Sequence, residues 1–535
     1  MRIHIPILRS LLLRADRSRR GGTVRLSIAI TALIVLLAAP LLGQAPASAR
    51  SHPLRPPPVK ALARRLNHRL DQPPLDRFLW GISIVDDGGR RLYERNANRL
   101  FVPASTAKIV VSTVAAALLP ADSGVRTGLY ATGPLVNGIL QGDLVLYGRG
   151  DPTLSRRCYA ADTTRASACE PDAFAPLRRL AVQLRSQGVQ TIAGDLVGDG
   201  SWFEPTLVHP AWEGYDLNWW YAAPVSGLGF NDNSVDLTWG AGPAIGGPAT
   251  VSFTPALDDV TLENHAVTIP GDTGATIDFF RDPGTMRIRA EGNVPQGSSG
   301  KTEHFALPDP NLFAAWAFAS VLHEAGIAVN GQVRSTTDSS AYRAARAERP
   351  LAEFESRPFR DWIFPILNSS QNWFAEMVLK QLGRRFGRAG SWHDGLTLER
   401  RFLIDSVRID STQFALVDGS GLSATNSITP DALIRVLQFA RRHPHMEAFL
   451  DALPRSGERG SLRTRLVGPP VEGRVRAKPG SIRGVNGLAG YLDLDDGRRV
   501  TFAVLVNHHT LLSSVMITVI DSVVVDIARA LGTRP

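Results

Sequence analysis

Two residues near the start of a predicted helix have the types and spacing of a nucleophile and its base. Ser105 and Lys108 lie three positions apart in the stretch FVPASTAKIV, just after Pro103. Residues three apart at a helix start share one face, so the lysine amine can reach the serine hydroxyl. A desolvated lysine can lose its proton and act as a base, whereas arginine cannot do so in a protein. By itself the pair is also typical of a helix cap beside a solvated lysine.

The rarity of lysine in this chain adds weight to the pair. Arginine supplies nearly all of the 59 basic residues among 535, and five lysines remain: Lys60, Lys108, Lys301, Lys380 and Lys478. A position that keeps lysine in such a chain needs a physical reason. The ability to lose a proton is one such reason.

Two further motifs follow along the chain. Ser370-Gln371-Asn372 lies in NSSQNWFAE, and Lys478-Pro479-Gly480-Ser481 begins a predicted strand. In order and chemistry the three motifs match the S-x-x-K, S-x-N and K-T-G set of penicillin-recognising serine enzymes. Three ordered motifs are far more specific than any one of them.

With these motifs the chain resembles the D-alanyl-D-alanine carboxypeptidase/endopeptidase family of low-molecular-mass class C penicillin-binding proteins, peptidase family S13 of the penicillin-binding protein 4 type. The long separation of the first two motifs supports this resemblance, as do four stretches: GRGDPTLS (148–155), YAAPVSGLGFNDNSV (221–235), DGSGLSATN (418–426) and LPRSGERGSLRTRL (453–466). The resemblance implies an α+β fold. Its catalytic domain would be β-lactamase/transpeptidase-like, a helical part beside a five-stranded antiparallel sheet, with mainly β domains inserted after the S-x-x-K helix.

The resemblance also implies an activity that needs no cofactor or metal. The family removes the terminal D-alanine of peptidoglycan stem peptides or cuts D-alanyl cross-links, and β-lactams inhibit it. Ser105 would attack the D-Ala-D-Ala carbonyl and form an acyl-enzyme, with neutral Lys108 taking its proton. Ser370 would relay that proton to the leaving amine, and Asn372 would hold Lys108 and the substrate amide.

The third motif would bind the end of the substrate. Lys478 and the Ser481 hydroxyl would hold the terminal carboxylate, on a strand that includes Gly480. The backbone N–H groups of Ser105 and Ser481 would form the oxyanion hole. Asp418 in DGSGLS is a further candidate for substrate binding. Because Asp-Gly-Ser-Gly is also a common turn, a structural role near the cleft is its alternative.

Two positions depart from the family pattern. Pro479 stands in place of the K-T-G threonine, which removes a hydroxyl and a backbone donor. We expect weaker carboxylate binding, not a broken fold, because this strand should lie at the sheet edge. Ala424 stands where an arginine that reaches the substrate side chain is expected. Recognition of diaminopimelate therefore does not carry over.

Two other functions compete with the peptidase. A catalytically weakened cell-wall-binding or regulatory protein of the same fold would follow if Pro479 disabled the pocket. A class A β-lactamase would need a Glu-x-x-Leu-Asn motif for rapid deacylation. The stretch EGYDLN at 213–218 is one residue too long and lies in the predicted insertion, so this alternative is disfavoured.

The N-terminal residues 1–49 read as an export signal or an N-terminal anchor. A basic leader precedes the apolar stretch Leu26 to Leu42 and the A-x-A pattern Ala47-Ser48-Ala49. The expected location is the periplasm or another extracytoplasmic cell-wall space, with membrane contact only if the segment stays uncleaved. Seven arginines against Asp16 give these residues +6 of the net +9. The remaining +3 is weak evidence for a nucleic-acid partner.

The remaining chain is predicted to form one domain that is interrupted by another. Residues 50–126 and 301–535 would form the transpeptidase-like domain, and residues 127–300, with short strand-like runs between turns, a mainly β insertion. Within the insertion, Cys158 and Cys169 are expected to form a disulfide outside the cytoplasm. Two free buried thiols are the alternative. Metal ligation is disfavoured because no His or Cys cluster flanks them.

Overall fold

The computed structural model describes residues 58–157, 172–282 and 284–532, which belong to one unit spanning Pro56–Pro535. The predicted leader, Cys158 and Cys169 lie outside the described residues, so the export signal and the disulfide remain predictions. No helix within the described ranges combines the length and apolar character needed to cross a membrane.

A five-stranded antiparallel sheet organises the C-terminal and N-terminal parts of the chain, as the sequence predicts. Its order is β2-β1-β24-β23-β22. The strands are β1 (Leu79–Asp86), β2 (Arg91–Arg95), β22 (Val475–Ile482), β23 (Val485–Asp493) and β24 (Arg499–Asn507). Strand β22, which carries the third motif, is therefore an edge strand. That position leaves one side of its backbone open to substrate.

Helices cover both faces of this sheet, which explains why β24 reads as a continuous apolar run. Phe502 and Val504 pack in a core that includes α1 (Pro58–Leu70) and α11 (Ser513–Leu531). Ala503 and Leu505 point to the opposite face, into the core of the helical part. Successive side chains of a strand point to opposite faces, so both sets must be apolar when both faces are covered.

The helical part is built around α2, which follows the first motif and is buried from Lys108 to Ala115. A helix that is apolar nearly all round belongs inside a domain. The helical part comprises α2 (Lys108–Leu118), α6 (Phe359–Asn368), α7 (Asn372–Phe386), α8 (Trp392–Asp405), α9 (Pro430–Arg442) and α10 (Glu447–Ala452), with the two-stranded ribbon β20 (Phe414–Ala415) and β21 (Ser427–Ile428).

The insertion is larger than predicted and contains helices. Its main sheet has the order β18-β8-β6-β3-β19. This sheet comprises β3 (Arg126–Ala131), β6 (Leu144–Tyr147), β8 (Leu196–Asp199), β18 (Val333–Thr336) and β19 (Ala352–Glu355). Since β18 and β19 complete its two edges, the predicted boundary at residue 300 is corrected to about Glu355. The apolar helix α4 (Pro310–Glu324) accordingly packs in the insertion core.

Smaller sheets and helices make up the rest of the insertion. The helices are α3 (Ala175–Ser186) and α5 (Arg343–Ala347). The strands are β4 (Leu135–Val136), β5 (Ile139–Leu140), β7 (Thr191–Ile192), β9 (Ser234–Gly240), β10 (Thr250–Thr254), β11 (Thr261–Asn264), β12 (Val267–Ile269), β13 (Asp278–Arg281), β14 (Arg287–Glu291), β15 (Asn293–Pro295), β16 (Lys301–Ala306) and β17 (Ala328–Val329).

Candidate active site

The first motif lies where a tight turn passes into α2. Residues Ala104–Ala107 form a 3₁₀ turn, and the α-helix begins at Lys108. The Lys108 Nζ atom lies 2.8 Å from the Ser105 Oγ atom. Ser105 is half-buried and Lys108 is fully buried. The reading of this pair as a helix cap beside a solvated lysine is therefore excluded.

Three oxygen atoms surround the Lys108 amine. Besides Ser105 Oγ, Asn372 Oδ1 lies at 2.6 Å and the Ser420 carbonyl oxygen at 2.7 Å. Burial lowers the pKa of Lys108 from its ordinary value to about 7, although the carboxylates of Asp418 and Glu376 oppose this shift. At neutral pH a large fraction of the amine is therefore unprotonated. In that form it can accept the serine proton.

A second buried lysine contacts the second motif. The Lys478 Nζ atom lies 2.8 Å from Ser370 Oγ and 3.0 Å from the Pro479 carbonyl oxygen. Burial, together with the positive charges of Lys108 and Arg465, holds the pKa of Lys478 well below its usual range. Two buried amines that repel each other resist being charged together, so protonation of one favours the neutral form of the other.

The insertion supports the backbone of the second motif. Ser370 has φ +61°, in the left-handed region, and Gln371 caps α7 by accepting a hydrogen bond from the Trp373 N–H. The Gln371 amide also donates to Asp232 Oδ2, 2.9 Å away. Asp232 lies in the left-handed turn Asn231–Asn233, within the stretch YAAPVSGLGFNDNSV. This stretch therefore positions Ser370, a role that its sequence alone does not reveal.

Asn372 links Lys108 to the insertion. Its Oδ1 accepts from Lys108, while its Nδ2 donates to the Tyr221 carbonyl oxygen at 2.7 Å. The predicted contact between Asn372 and the Lys108 amine is thus present. The contact with Tyr221 uses one of the two N–H groups on Nδ2, and the predicted contact with the substrate amide would use the other.

Strand β22 approaches Ser105 so closely that only glycine fits at position 480. A Cβ atom on Gly480 would lie 2.7 Å from the Pro103 oxygen and 3.0 Å from the Ser105 nitrogen. On the open side of the strand, the Ala477 N–H donates to the Pro454 oxygen. N–H groups of alternate residues point the same way in an antiparallel strand. The backbone nitrogen of residue 479 therefore points away from β23, and a proline there breaks no hydrogen bond between the strands.

The same alternation points the Ser481 N–H outward beside Ser105, as the predicted oxyanion hole requires. The Ser481 side chain is exposed, and its Oγ lies 2.8 Å from Ser513 Oγ. Asn486 Nδ2 donates to Ser481 Oγ at 2.9 Å. Neither Ser513 nor Asn486 belongs to a motif that the sequence singles out.

Asp418 supports the loop behind Lys108. It is 1% exposed. One oxygen accepts from Gly421 N and Asn426 Nδ2, and the other from Ser423 N and Trp212 Nε1. Both carboxylate oxygens of Asp418 thus accept two hydrogen bonds each from groups within the protein. The predicted contact of Asp418 with substrate is therefore corrected to the structural role that was its alternative.

Glu376 holds the same loop from α7. It accepts from the N–H groups of Gly419 and Ser420 at 3.1 and 2.7 Å. These bonds orient the Ser420 carbonyl toward Lys108. Gly421 then turns with φ +77°, and a Cβ there would lie 2.0 Å from the Ala104 oxygen. Burial raises the pKa of Glu376 to about 7, as does the charge of Asp418.

Lys380, a third fully buried lysine, joins α7 to the insertion. Its Nζ lies 2.8 Å from the Thr206 oxygen, 3.3 Å from Glu204 Oε1 and 3.5 Å from the centre of the Trp392 ring. These contacts explain why this position keeps a long cationic side chain.

The side chain of Ala424 is exposed and uncharged, so this position offers no cationic partner to a substrate.

The fold and the geometry together define a class of enzyme. A serine hydroxyl in contact with a buried amine of lowered pKa, beside a second serine on a second buried amine, is the arrangement of a serine enzyme that works through an acyl intermediate. The chain belongs to the D-Ala-D-Ala carboxypeptidase 3 (S13) family, whose family model matches residues 62–527. This confirms the family predicted from the motifs.

Similar proteins carry names that agree with this assignment. The D-alanyl-D-alanine carboxypeptidase of Actinomadura sp. strain R39 is 30% identical over 96% of this chain and 92% of its own length. Carboxypeptidase DacB of Mycolicibacterium smegmatis is 27% identical over 93% of this chain and 95% of its own length. The chain is accordingly a serine-type D,D-peptidase, a hydrolase.

A solved structure shares the fold. Penicillin binding protein 4 (dacB) from Haemophilus influenzae has a TM-score of 0.73 at 22% identity, covering 86% of this chain and 98% of that chain. The transpeptidase-like architecture with its five-stranded antiparallel sheet, which the motifs predict, is therefore confirmed.

Proposed function

We propose that this protein hydrolyses the D-Ala-D-Ala bond of peptidoglycan stem peptides outside the cytoplasm, through an acyl-enzyme on Ser105, and that β-lactams acylate the same serine. The observation that carries this proposal is the 2.8 Å contact between Ser105 Oγ and the fully buried Lys108 Nζ. A basic leader with an apolar stretch and an A-x-A pattern supports export. The names of the relatives support the substrate.

Acylation begins with proton transfer from Ser105 to neutral Lys108. The Oγ atom bonds to the carbonyl carbon of the penultimate D-alanine, and the Ser105 and Ser481 N–H groups stabilise the resulting oxyanion. The C–N bond then breaks. The proton on Lys108 passes through Ser370 to the leaving amine, and Lys478, which lies 2.8 Å from Ser370 Oγ, supports this transfer.

Deacylation reuses the same base. Once the D-alanine has left, a water molecule can approach the ester carbonyl and give its proton to Lys108. The ester bond to Oγ breaks, and that oxygen regains the proton. Lys108 gives that proton to Oγ and so returns to its neutral state, while Asn372 and Ser420 hold its amine in place.

Support for β-lactam binding comes from the shared chemistry of the site. Penicillin binding protein 4 from Haemophilus influenzae has also been solved in complex with a β-lactam, and that structure has a TM-score of 0.67 to this chain at 20% identity. A β-lactam presents a strained amide and a nearby carboxylate. Ser105 and the Lys478 strand are arranged for both groups.

The test is a measurement of intact mass and of D-alanine release on the purified protein. We expect one benzylpenicilloyl group per chain, located by peptide mapping on the segment that contains Ser105. We also expect D-alanine release from diacetyl-L-Lys-D-Ala-D-Ala. A folded protein with neither adduct nor release would overturn the proposal. It would favour the alternative of a catalytically weakened wall-binding or regulatory protein.

The pH dependence of acylation should report the titration of Lys108. Its pKa of about 7 places the protonated, inactive form below neutrality and the neutral, active form above it. We expect the acylation rate constant for benzylpenicillin to rise about tenfold between pH 6 and pH 8. The carboxylate of benzylpenicillin does not titrate in this range. A rate that falls over this range would contradict the role of Lys108 as a base.

A further inference from the structure

Beyond Ser481, a small polar cluster continues the open edge of the sheet. Ser481 on β22, Asn486 on β23 and Ser513, the first residue of α11, meet there. The two serine Oγ atoms lie 2.8 Å apart, and Asn486 Nδ2 lies 2.9 Å from Ser481 Oγ and 2.8 Å from Ser513 Oγ. Both serines are exposed, whereas Asn486 is buried beneath them.

A buried histidine orients the amide of this cluster. His509 Nε2 lies 2.8 Å from Asn486 Oδ1, and His509 is 6% exposed. An N–H donor at this ring nitrogen keeps Oδ1 turned inward and Nδ2 turned toward the serines. The other ring nitrogen, Nδ1, lies 3.2 Å from the Leu511 oxygen, so contacts on both sides fix the ring. The buried His509 therefore fixes the orientation of the Asn486 amide.

The hydrogen bonds within the cluster determine what it can offer to a ligand. The Asn486 amide spends both of its N–H groups on the two serine oxygens, so each oxygen already accepts a hydrogen bond. Without a ligand the hydroxyl protons are used inside the cluster, because the two Oγ atoms share a hydrogen bond and Ser513 Oγ also donates to Asn486 Oδ1 at 3.2 Å. An anionic acceptor can turn both protons outward and replace these bonds with charge-assisted ones, while each serine oxygen keeps its bond from Asn486. Two donors 2.8 Å apart on an exposed edge match the two oxygens of a carboxylate.

The position of the cluster relates it to the substrate. Gly480 touches the Ser105 backbone, and Ser481 is the next residue along β22. In an extended peptide the terminal carboxylate lies one residue, about 3.4 Å, beyond the carbonyl that Ser105 attacks. Pro479 has no hydroxyl to offer this carboxylate.

We propose that Ser513 is a specificity-determining residue that, paired with Ser481, holds the terminal carboxylate of the D-Ala-D-Ala substrate in place of the hydroxyl that Pro479 lacks. Asn486 and His509 are positioning residues, since they act through the two serines. Lys478, on the same strand, would add a positive charge when it is protonated. This inference rests on the proposed function and assigns part of its substrate selectivity to α11.

The test compares a substrate that ends in a carboxylate with the same substrate ending in an amide. Steady-state kcat and KM are measured on diacetyl-L-Lys-D-Ala-D-Ala and on its C-terminal amide. For Ser513→Ala we expect KM for the acid to rise about tenfold, with kcat within about twofold, because a hydrogen bond to a charged group is lost. The preference for the acid over the amide should fall by a similar factor. Ser513→Thr, which keeps a hydroxyl, should retain the preference.

The matched control is Ser514→Ala, the same chemical change at the adjacent exposed position. This control should behave as the wild type. Equal acid-to-amide preference in Ser513→Ala and Ser514→Ala would overturn the inference while leaving the proposed function intact. A wild-type enzyme that turns over neither substrate would instead overturn the proposed function, and the inference with it. Melting temperatures of all variants show whether the start of α11 is preserved.

Discussion

Ser105→Ala should abolish the benzylpenicilloyl adduct and lower D-Ala-D-Ala turnover by at least about 10⁴-fold, because alanine cannot form the acyl-enzyme. The fold should survive the change. Ser105 is only half-buried, and Lys108 keeps its contacts with Asn372 Oδ1 and the Ser420 oxygen. The loss would thus report chemistry and not unfolding.

The measurement is intact mass over several hours with benzylpenicillin, accompanied by D-alanine release. A matched control is Ser112→Ala, on the same helix. Ser112 is fully buried, and its Oγ has no hydrogen-bond partner, so removing this hydroxyl should leave the adduct intact. An adduct that persists in Ser105→Ala would contradict the assignment. Peptide mapping would then show whether Ser370 is the nucleophile.

Lys108→Arg should lower the rate constant of acylation by about 10³-fold, within the range that general bases contribute. Arginine keeps the positive charge and the hydrogen-bond donors, but it cannot lose its proton. The variant should therefore also lose the rise in rate between pH 6 and pH 8. This second signature separates a missing base from a merely distorted site.

The controls for Lys108 address both packing and titration. Lys301→Arg makes the same change at an exposed lysine and should leave the rate unchanged. Because a guanidinium is larger than an amine, Lys108→Met provides a variant that removes the base with less bulk, and melting temperatures report the cost to folding. Glu376 has a pKa of about 7 as well. A pH-dependent rate that survives in Lys108→Arg would assign the titration to Glu376 instead.

The scarcity of lysine was an informative signal, although it does not distinguish roles. Of the five lysines, Lys108, Lys380 and Lys478 are fully buried, whereas Lys60 and Lys301 are exposed. Two of them contact serines of the motifs, and the third ties α7 to Glu204 and Trp392. At the three buried positions, an amine occupies a confined space. What lies around the amine determines whether it takes part in chemistry.

Several features of the protein are determined by its sequence alone. The three motifs predict the nucleophile, its base and the substrate strand, because their chemistry depends on residue type and order. Local patterns also predict the helix that follows the first motif and the strand that carries the third, because they set helix and strand formation. The edge position proposed for Pro479 also follows from a local rule, the missing backbone donor.

Only the tertiary structure decides how these segments support one another. Asn372 is held by the Tyr221 oxygen and Lys108 by the Ser420 oxygen, and a backbone carbonyl carries no signature of residue type. The extent of the insertion depends on pairing between strands about 140 to 220 residues apart, and the Ser481, Asn486 and Ser513 cluster depends on three elements that meet in space. Long-range contacts of this kind are set by packing of the whole chain, so no local pattern in the sequence reports them.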